Sequence, residues 1–220
     1  MEGLNLKILT VNINGFKNKV GKIVEKAKLY DAILIQETHG LAKHEVKLLE
    51  EELDALVITS NHPGKKIAGV ATIVRQLAKG FNFEEIKSST ELQGRVIHIR
   101  LYNWNIFNIY VPAGGINPVK INFITNVTNY IQQFMAEPCI IGGDFNWVHS
   151  EEDKSEKFSD SDRALRKWVN IFIKTNNLMD TFRWKNTDIR KYTYTYDQRK
   201  GSRFDTFYIS ENQIATVKKM

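Results

Sequence analysis

The sequence predicts an α/β domain in which β-sheets form the inside and helices cover the outside. Short apolar runs typical of strands recur along the chain, and stretches with the spacing of amphipathic helices separate them. The sequence contains no internal repeat, no low-complexity run and no linker rich in Pro, Gly or Ser. Its 220 residues are enough for a large core, so we expect residues 1–220 to form a single domain.

The first half of the chain alternates strand and helix patterns. Residues 6–12 are rich in strand-forming side chains, and residues 32–37 form an apolar run that turns polar at its last two positions. Apolar residues at helical spacing predict helices over residues 17–30 and 41–53. Further strands are predicted at 55–59, 69–74, 95–101 and 106–111, with a turn at 102–105 and loops at 61–64 and 112–118.

The second half is organised around Cys-Ile-Ile-Gly-Gly-Asp-Phe-Asn-Trp at residues 139–147. Its apolar start predicts a buried strand, and its two glycines allow a turn or the close approach of another group. If the strand continues through Asp144 and Asn146, both side chains leave on one face; an Asx turn is the alternative. The remaining predictions are helices at 122–135 and 163–175, a surface loop at 151–162, a strand at 192–196, a basic turn at 198–202 and the return strand of a hairpin at 203–210.

The composition restricts the class of partner and the compartment. A formal charge of +6 and a sequence pI near 9.2 favour a polyanionic partner, either nucleic acid or an acidic membrane surface. The single cysteine, Cys139, excludes an intrachain disulfide and indicates a reducing compartment. No apolar run approaches the ~18 residues of a membrane span, and the first residues do not resemble a signal peptide. We therefore expect an intracellular protein.

Several polar residues fall at predicted strand ends or directly after them. They form a set of carboxylate, amide and phenol groups, and hard oxygen ligands of this kind suit Mg²⁺ or Mn²⁺ rather than zinc. A hard divalent ion can polarise a phosphate and neutralise the leaving oxygen. Asp144 is then a candidate to activate water, and Tyr110 a candidate to anchor the phosphate. The set comprises Asn12, Glu37, Tyr110, Asp144, Asn146 and Asp205.

Six short blocks carry a resemblance to a known family. They are Thr-Val-Asn-Ile-Asn-Gly at 10–15, Ile-Gln-Glu-Thr-His at 35–39, Ala-Gly-Val-Ala at 68–71, Asn-Ile-Tyr-Val-Pro at 108–112, Gly-Asp-Phe-Asn at 143–146 and Ser-Arg-Phe-Asp at 202–205. In this order they resemble the endonuclease–exonuclease–phosphatase superfamily, the fold family of DNase I and the abasic-site endonucleases. Gln-Glu-Thr-His at 36–39 and Lys-Ile-Ala-Gly-Val-Ala at 66–71 resemble most closely the endonuclease domain of LINE-type (non-LTR) retrotransposons.

The resemblance implies a fold and a set of catalytic roles. The fold is a DNase I-like, four-layered α/β sandwich of two packed mixed β-sheets flanked by helices. By resemblance Glu37 is a metal ligand with Asn12 beside it, and the ion is Mg²⁺ (or Mn²⁺). Asp144 orients or deprotonates the attacking water, while Asn146 and Tyr110 hold the scissile phosphate.

The hairpin near residue 200 is the expected DNA contact. In the retrotransposon branch a threonine matching Thr193 lies near the cleft, and target preference resides in such loops and hairpins. Basic side chains there can reach phosphates or a groove, although a solvated basic turn is an equally good interpretation. The residues expected to contact DNA are Thr193, Arg199, Lys200, Ser202 and Arg203.

Two departures from the family pattern affect these expectations. The family usually has Asn after Tyr-x-Pro, where this chain has Ala113, so the resemblance does not supply one phosphate contact. The family also ends in Ser-Asp-His, whose histidine Asp205 would orient, whereas this chain stops at Met220. Either the chain is a fragment that lacks its last strand, or its catalytic set is incomplete, and we expect weak or no nuclease activity. Five histidines fall outside that motif, with a structural role expected for His98 and a loop position for His39: His39, His44, His62, His98 and His149.

Three functions follow from the residues and the resemblance. The first is a metal-dependent endonuclease that nicks double-stranded DNA and leaves a 3′-hydroxyl end to prime reverse transcription. We expect such a protein to be a monomer, to act in the nucleus, to need no membrane and to precede a reverse transcriptase in a longer chain. The second is a phosphodiesterase or phosphatase of the same fold that acts on abasic DNA, RNA or a phospholipid. The third is a DNA-binding remnant that no longer cleaves.

Overall fold

Two β-sheets form the centre of the computed structural model, and helices flank them. The structure describes residues 5–17, 19–63, 68–75, 83–86, 92–197 and 200–218. One apolar cluster lies between the sheets, and two further clusters join each sheet to its own helices, which gives four layers. The predicted α/β sandwich is therefore confirmed. None of the helices in the described part of the chain has the length and apolarity that a membrane crossing requires.

The first sheet has four strands in the order β1-β2-β4-β3. The pair β1 and β2 is parallel, and the other neighbours are antiparallel. Helices α1 and α2 cover the outer face of this sheet because their apolar sides, including Ile23 and Leu49, are buried against it. The bounds are β1 Ile8–Asn12, α1 Val20–Ala27, β2 Ala32–Gln36, α2 Lys43–Leu53, β3 Ala55–Ser60 and β4 Val70–Arg75.

The second sheet has six strands in the order β5-β6-β7-β8-β12-β9. Its only parallel pair among the described strands is β7 with β8, which the crossover helix α3 connects. A separate two-stranded hairpin joins β10 to β11. The bounds are β5 Phe83–Ile86, β6 Val96–Leu101, β7 Trp104–Tyr110, α3 Pro118–Gln132, β8 Cys139–Asp144, α4 Asp160–Thr175, β9 Leu178–Asp180, α5 Thr181–Lys185, β10 Tyr194–Asp197, β11 Lys200–Ser202 and β12 Asp205–Ser210.

Buried polar groups fix how the two sheets sit on one another. Gln36 of β2 donates a 2.7 Å hydrogen bond from Nε2 to Oδ1 of Asn108 on β7. Asn108 returns to the first sheet, since its Nδ2 donates to the carbonyl oxygen of Ala71 at 2.8 Å. Because both side chains are fully buried, an altered alignment of the sheets would leave these groups without partners. The bonds thereby hold the ends of β2 and β7 at the same edge of the sandwich.

The two glycines of the central segment lie inside β8 rather than in a turn. A side chain on Gly142 would collide with Phe207 and Leu34, which belong to the neighbouring strand and to the facing sheet. Gly143 has a φ of +151°, and a Cβ there would clash with the backbone of Ile109. The predicted close approach is confirmed and the turn is not.

The strand predicted over 203–210 is present, but it does not pair with the preceding strand of the predicted hairpin. The strand begins at Asp205 and pairs with β8 and β9 in the second sheet, whereas the hairpin partner of β10 is Lys200–Ser202. All four residues of β10 are exposed, but β12 is largely buried. An apolar strand of this kind gains more from a central position in a sheet than from a solvated hairpin.

Two helices begin earlier than their apolar spacing predicts. Helix α3 starts at Pro118, and the Asn117 side chain accepts the Lys120 backbone N–H as its N-cap. Helix α4 starts at Asp160, capped by Ser159 and Asp162, so its first turn occupies part of the predicted loop. The first turn of α4 is polar and that of α3 opens with a proline, so apolar periodicity alone misses both. The helix predicted over 17–30 is shorter, at Val20–Ala27.

His98 has the structural role that its alternating strand predicted. It is fully buried, and its ring stacks on Phe107 with centroids 4.0 Å apart. Its Nε2 lies 2.9 Å from Oδ1 of Asn105, and its Nδ1 lies 3.0 Å from the Tyr130 hydroxyl. Burial lowers the pKa of His98 from 6.5 to about 4, so the folded protein holds a neutral ring.

The stability of the protein is expected to fall as the pH is lowered from 6.5 to 4. In this window the unfolded chain protonates His98 and the folded chain does not, which lowers the free energy of unfolding by up to about 3 kcal/mol. Urea unfolding at a series of pH values, with His98→Gln and the exposed-site control His44→Gln, measures the effect. His98→Gln should lose this part of the pH dependence, and equal slopes for wild type and both variants would contradict the assignment.

Candidate active site

The strand ends of both sheets meet at one edge of the sandwich. Tyr110, Asp144 and Asp205 lie side by side in the second sheet, because Asp144 is in register with Tyr110 on one side and with Asp205 on the other. In the first sheet Asn12 ends β1, and Glu37 directly follows β2. Five residues that are far apart in the sequence therefore lie close together.

A hydrogen-bonded network joins the two sheets at this edge. Nδ2 of Asn12 donates to Oε1 of Glu37 at 2.9 Å and to Oδ2 of Asp144 at 2.7 Å. The Tyr110 hydroxyl donates to the same Oε1 of Glu37 at 2.7 Å. One amide and one phenol thus hold two carboxylates in fixed orientations.

Glu37 leaves the strand through an unusual backbone conformation. Its φ is +53°, in the left-handed region, and His39 has a φ of +57°. The loop is held by the Ala-Gly-Val-Ala block, since the His39 N–H donates to the Ala68 carbonyl and the Thr38 N–H to the Gly69 carbonyl. Nε2 of His39 lies 3.6 Å from Oε2 of Glu37, so His39 is the predicted loop residue beside the site.

Asp144 and Asn146 form a turn rather than a continued strand. The Asn146 N–H donates to Oδ1 of Asp144 at 2.9 Å, and the φ of Asn146 is +47°. The Asx turn is therefore confirmed, and the same-face arrangement is wrong. Nδ2 of Asn146 donates to the Val111 carbonyl at 3.0 Å, which leaves its second N–H available. The turn uses one oxygen of Asp144, and the other points to Asn12.

Asp205 is held from the side of the hairpin. Oγ1 of Thr193 accepts the backbone N–H groups of Phe204 and Asp205, both at 3.1 Å. Oδ1 of Asp205 is buried and has no hydrogen-bond partner among the described residues. Burial, together with the charge of Asp144, raises the pKa of Asp205 to about 6. No histidine in the described ranges donates to it.

The site carries an excess of negative charge. Burial raises the pKa of Asp144, and the nearby charge of Glu37 raises it further. Burial and the hydrogen bond to Glu37 raise the pKa of Tyr110, so its hydroxyl stays protonated. Carboxylates whose ionised forms are unfavourable would be stabilised by a nearby cation.

The oxygen atoms present fit a hard divalent cation. Oδ1 of Asp205 is buried without a partner, and Oε2 of Glu37 has His39 as its neighbour at 3.6 Å. Among the described residues, no three His, Cys, Asp or Glu side chains converge on a single point that would hold a metal. This arrangement suits Mg²⁺ or Mn²⁺, because Mg²⁺ is usually held by one or two carboxylates and completes its shell with water and substrate phosphate.

Two basic residues near the site were not predicted from the sequence. The Arg95 guanidinium lies 5.0 Å from the centre of the Tyr110 ring, and its Nη1 donates to the Tyr110 carbonyl at 3.3 Å. Lys120 is fully buried, and its Nζ donates to the Asn146 carbonyl at 2.9 Å. Arg95 opens an alternating strand and Lys120 lies in the first turn of a helix, so no local signal marked either.

The expected DNA contacts divide into exposed and buried residues. Lys200 is exposed, but its Nζ is paired with Glu156 at 3.0 Å. Arg199 lies outside the described residues. Ser202 and Arg203 are buried, which corrects the expectation that they contact DNA. The Arg203 guanidinium binds the carboxylates of Asp153 and Asp180 and is unavailable to a phosphate.

Comparisons with known proteins identify the family and the fold. The sequence profile of the Endonuclease/Exonuclease/phosphatase family matches residues 9–218. No curated protein matches the chain. A 3′ phosphatase from Neisseria bound to a product DNA hairpin has 20% identity and a TM-score of 0.79, with 98% of this chain and 90% of that chain covered.

Two endonuclease structures are similar to a comparable degree. An AP endonuclease from Archaeoglobus fulgidus has 20% identity and a TM-score of 0.74, with 96% of this chain and 89% of that chain covered. The AP endonuclease of Leishmania major has 17% identity and a TM-score of 0.75, with 96% of this chain and 80% of that chain covered. At these identities the likeness concerns the fold.

Proposed function

Because the chain belongs to the endonuclease/exonuclease/phosphatase family, whose members are hydrolytic nucleases and phosphatases, we propose that it is a metal-dependent DNA endonuclease. It nicks one strand of double-stranded DNA by attack of water on a phosphodiester. The observation that carries the proposal is the network of Asn12, Glu37, Tyr110 and Asp144, with Asp205 in register beside Asp144. It combines a water activator, phosphate donors and hard metal ligands at one sheet edge.

Each side chain has a defined task in this reaction. Glu37, with Asn12 beside it, would hold Mg²⁺ (or Mn²⁺), which would neutralise charge on the phosphate when bound. Asp144 accepts a proton from water at Oδ2, the oxygen that Asn12 orients. The second N–H of Asn146 donates to a phosphate oxygen as negative charge develops there. The Tyr110 hydroxyl has one O–H, which donates to Glu37 in this structure, so it donates to phosphate after bound substrate and metal displace that bond.

A role in retrotransposition is the finer part of the proposal. The Gln-Glu-Thr-His motif resembles the LINE-type branch, and it supplies both the ligand Glu37 and its neighbour His39. In that branch a nick with a 3′-hydroxyl end primes reverse transcription at the target. The protein would act as a monomer in the nucleus, with a reverse transcriptase following in the same polypeptide.

A second candidate function has support from the similar structures. The Neisseria structure is described as a 3′ phosphatase and two others as AP endonucleases, so abasic or 3′-phosphorylated DNA is an alternative substrate. Both reactions break a P–O bond and would use the same side chains. The choice between them depends on which DNA reaches the site.

The proposed function predicts slow nicking of supercoiled plasmid with Mg²⁺ or Mn²⁺ and none with EDTA. The rate is expected to be low because no histidine of the described residues pairs with Asp205. Glu37→Gln, which keeps an acceptor for Asn12 and Tyr110 but loses the charge, should reduce nicking by about 10²-fold or more. Extension of the nick by a DNA polymerase tests for the 3′-hydroxyl end. Competition with abasic and 3′-phosphorylated duplexes separates the two functions. Metal-independent DNA binding without cleavage of any substrate would instead identify a binding protein.

A further inference from the structure

Lys120 is buried beneath the candidate active site. It lies in the first turn of α3, and its side chain has no exposed surface. Its Nζ donates to the Gly114 carbonyl at 2.7 Å and to the Asn146 carbonyl at 2.9 Å. Both partners are backbone oxygens of loops, and one loop follows Tyr110 while the other follows Asp144. A single ammonium group therefore connects the loop that follows β7 to the loop that carries Asn146.

The burial of this lysine needs a compensating interaction. Desolvation lowers the pKa of Lys120 to about 8, and the negative charges of Asp144 and Asp162 oppose that decrease. A methionine of similar length would fill the same space without desolvating a charge. The ammonium group thus contributes something other than packing, and its two bonds indicate what that is.

Asn146 is fixed at three points, and Lys120 supplies one of them. Its N–H donates to Asp144, its side chain donates to Val111, and its carbonyl accepts from Lys120. The left-handed φ of +47° is one that asparagine adopts more readily than most residues, and the three bonds hold the peptide in it. Loss of the bond from Lys120 would let the Asn146 peptide rotate. The side-chain amide of Asn146 would then point away from the position that a phosphate would occupy.

We propose that Lys120 is a positioning residue that acts through Asn146. Its ammonium group clamps the carbonyl oxygens of Gly114 and Asn146, and so aims the Asn146 side-chain amide at the scissile phosphate. The inference rests on the proposed nuclease function for its kinetic consequences. Its structural consequence, the fixed Asn146 backbone, does not depend on which substrate is cleaved.

The kinetic test compares Lys120→Met with a matched core variant of the same helix. Lys120→Met should lower kcat about tenfold, because the phosphate donor Asn146 is no longer held in place. KM should stay within twofold, because most of the affinity for DNA comes from basic groups that contact DNA phosphates outside this site. Val127→Ala, which removes fully buried apolar volume from α3, should keep kcat near wild type below its melting temperature. In the double variant with Asn146→Ala, the Lys120 change should cause no further loss.

The structural test uses amide hydrogen exchange measured by NMR on the free protein. The Asn146 N–H should lose protection in Lys120→Met and keep it in Val127→Ala, whether or not the protein cleaves DNA. If Lys120→Met does not fold, Lys120→Gln replaces it, and intermediate losses of protection and kcat are expected. Unchanged Asn146 protection, or additive losses with Asn146→Ala, would overturn the proposal. A wild-type protein with a protected Asn146 that nicks nothing would refute the nuclease function alone.

Discussion

Asp144→Asn is expected to reduce nicking by about 10²- to 10⁴-fold while leaving the fold intact. The substitution removes the only group of the Asp144–Asn146 turn that can take a proton from water. One acceptor oxygen remains for Asn12 or for the Asn146 N–H, so one of two hydrogen bonds is lost. Because burial raises the pKa of Asp144, its ionised form destabilises the folded state above that pKa. Removing the charge therefore offsets the lost hydrogen bond at neutral pH.

The measurement is single-turnover nicking with Mg²⁺, together with a thermal melt in EDTA at pH 7.5. The melting temperature should stay within about 4 °C of wild type, a change of roughly 1 kcal/mol. Asp54→Asn is the matched control, since Asp54 is exposed and precedes β3 at the end of the sheet away from Gln36. A fully active Asp144→Asn protein would make the turn structural, and a melting temperature lower by tens of degrees would leave the activity result without meaning.

Asp153→Ala is expected to lower the free energy of unfolding by about 3–5 kcal/mol. Asp153 is fully buried, and its carboxylate pairs with Arg203 at 2.7 Å and with Arg183 at 2.5 Å. Arg203 is itself buried and also binds Asp180 at 2.5 Å. Removing Asp153 leaves Arg203 with the carboxylate of Asp180, whereas the Arg183 guanidinium keeps only bonds to backbone carbonyl oxygens. A buried charge without its partner is costly.

Urea unfolding at pH 7 measures the loss, and Glu51→Ala provides the contrast. Glu51 pairs with Lys47 on an exposed helix face, where both side chains are more than 60% accessible, so its removal should change stability by under about 0.5 kcal/mol. Although burial alone would raise the pKa of Asp153, its bonds to Arg203 and Arg183 lower it. The stabilisation by Asp153 is therefore lost as the pH falls through the lowered pKa. The difference in the free energy of unfolding between wild type and Asp153→Ala should accordingly become smaller at acidic pH. Equal effects of the two variants would show that the network is not a stabilising one.

Local sequence patterns predicted where the strands and helices lie, but they did not predict which strands pair with each other. Alternating and apolar runs located β1, β2, β6 and β8 to within one or two residues, because burial on a sheet imposes a period of two or a continuous apolar run. The predicted pairing of β12 was wrong, since residues 203–210 follow a hairpin in the sequence but pair with β8, whose partner residues lie 61 or more positions earlier. Chain order favours the nearer partner, while burial of apolar surface decides the outcome.

The sequence by itself determined which residues with side-chain oxygen atoms lie at strand ends: Asn12, Glu37, Tyr110, Asp144 and Asp205. It could do so because the end of a strand and the chemical type of a side chain are both local properties of the chain. Only the tertiary structure decided which groups share a hydrogen bond, such as Asn12 with Asp144 across 132 positions. It also turned Arg203 inward to Asp153, 50 positions away, and brought Lys120 beneath Asn146. A polar side chain can be buried only where hydrogen-bond or ion-pair partners offset the cost of its desolvation. The packing of the two sheets decides which partners are within reach.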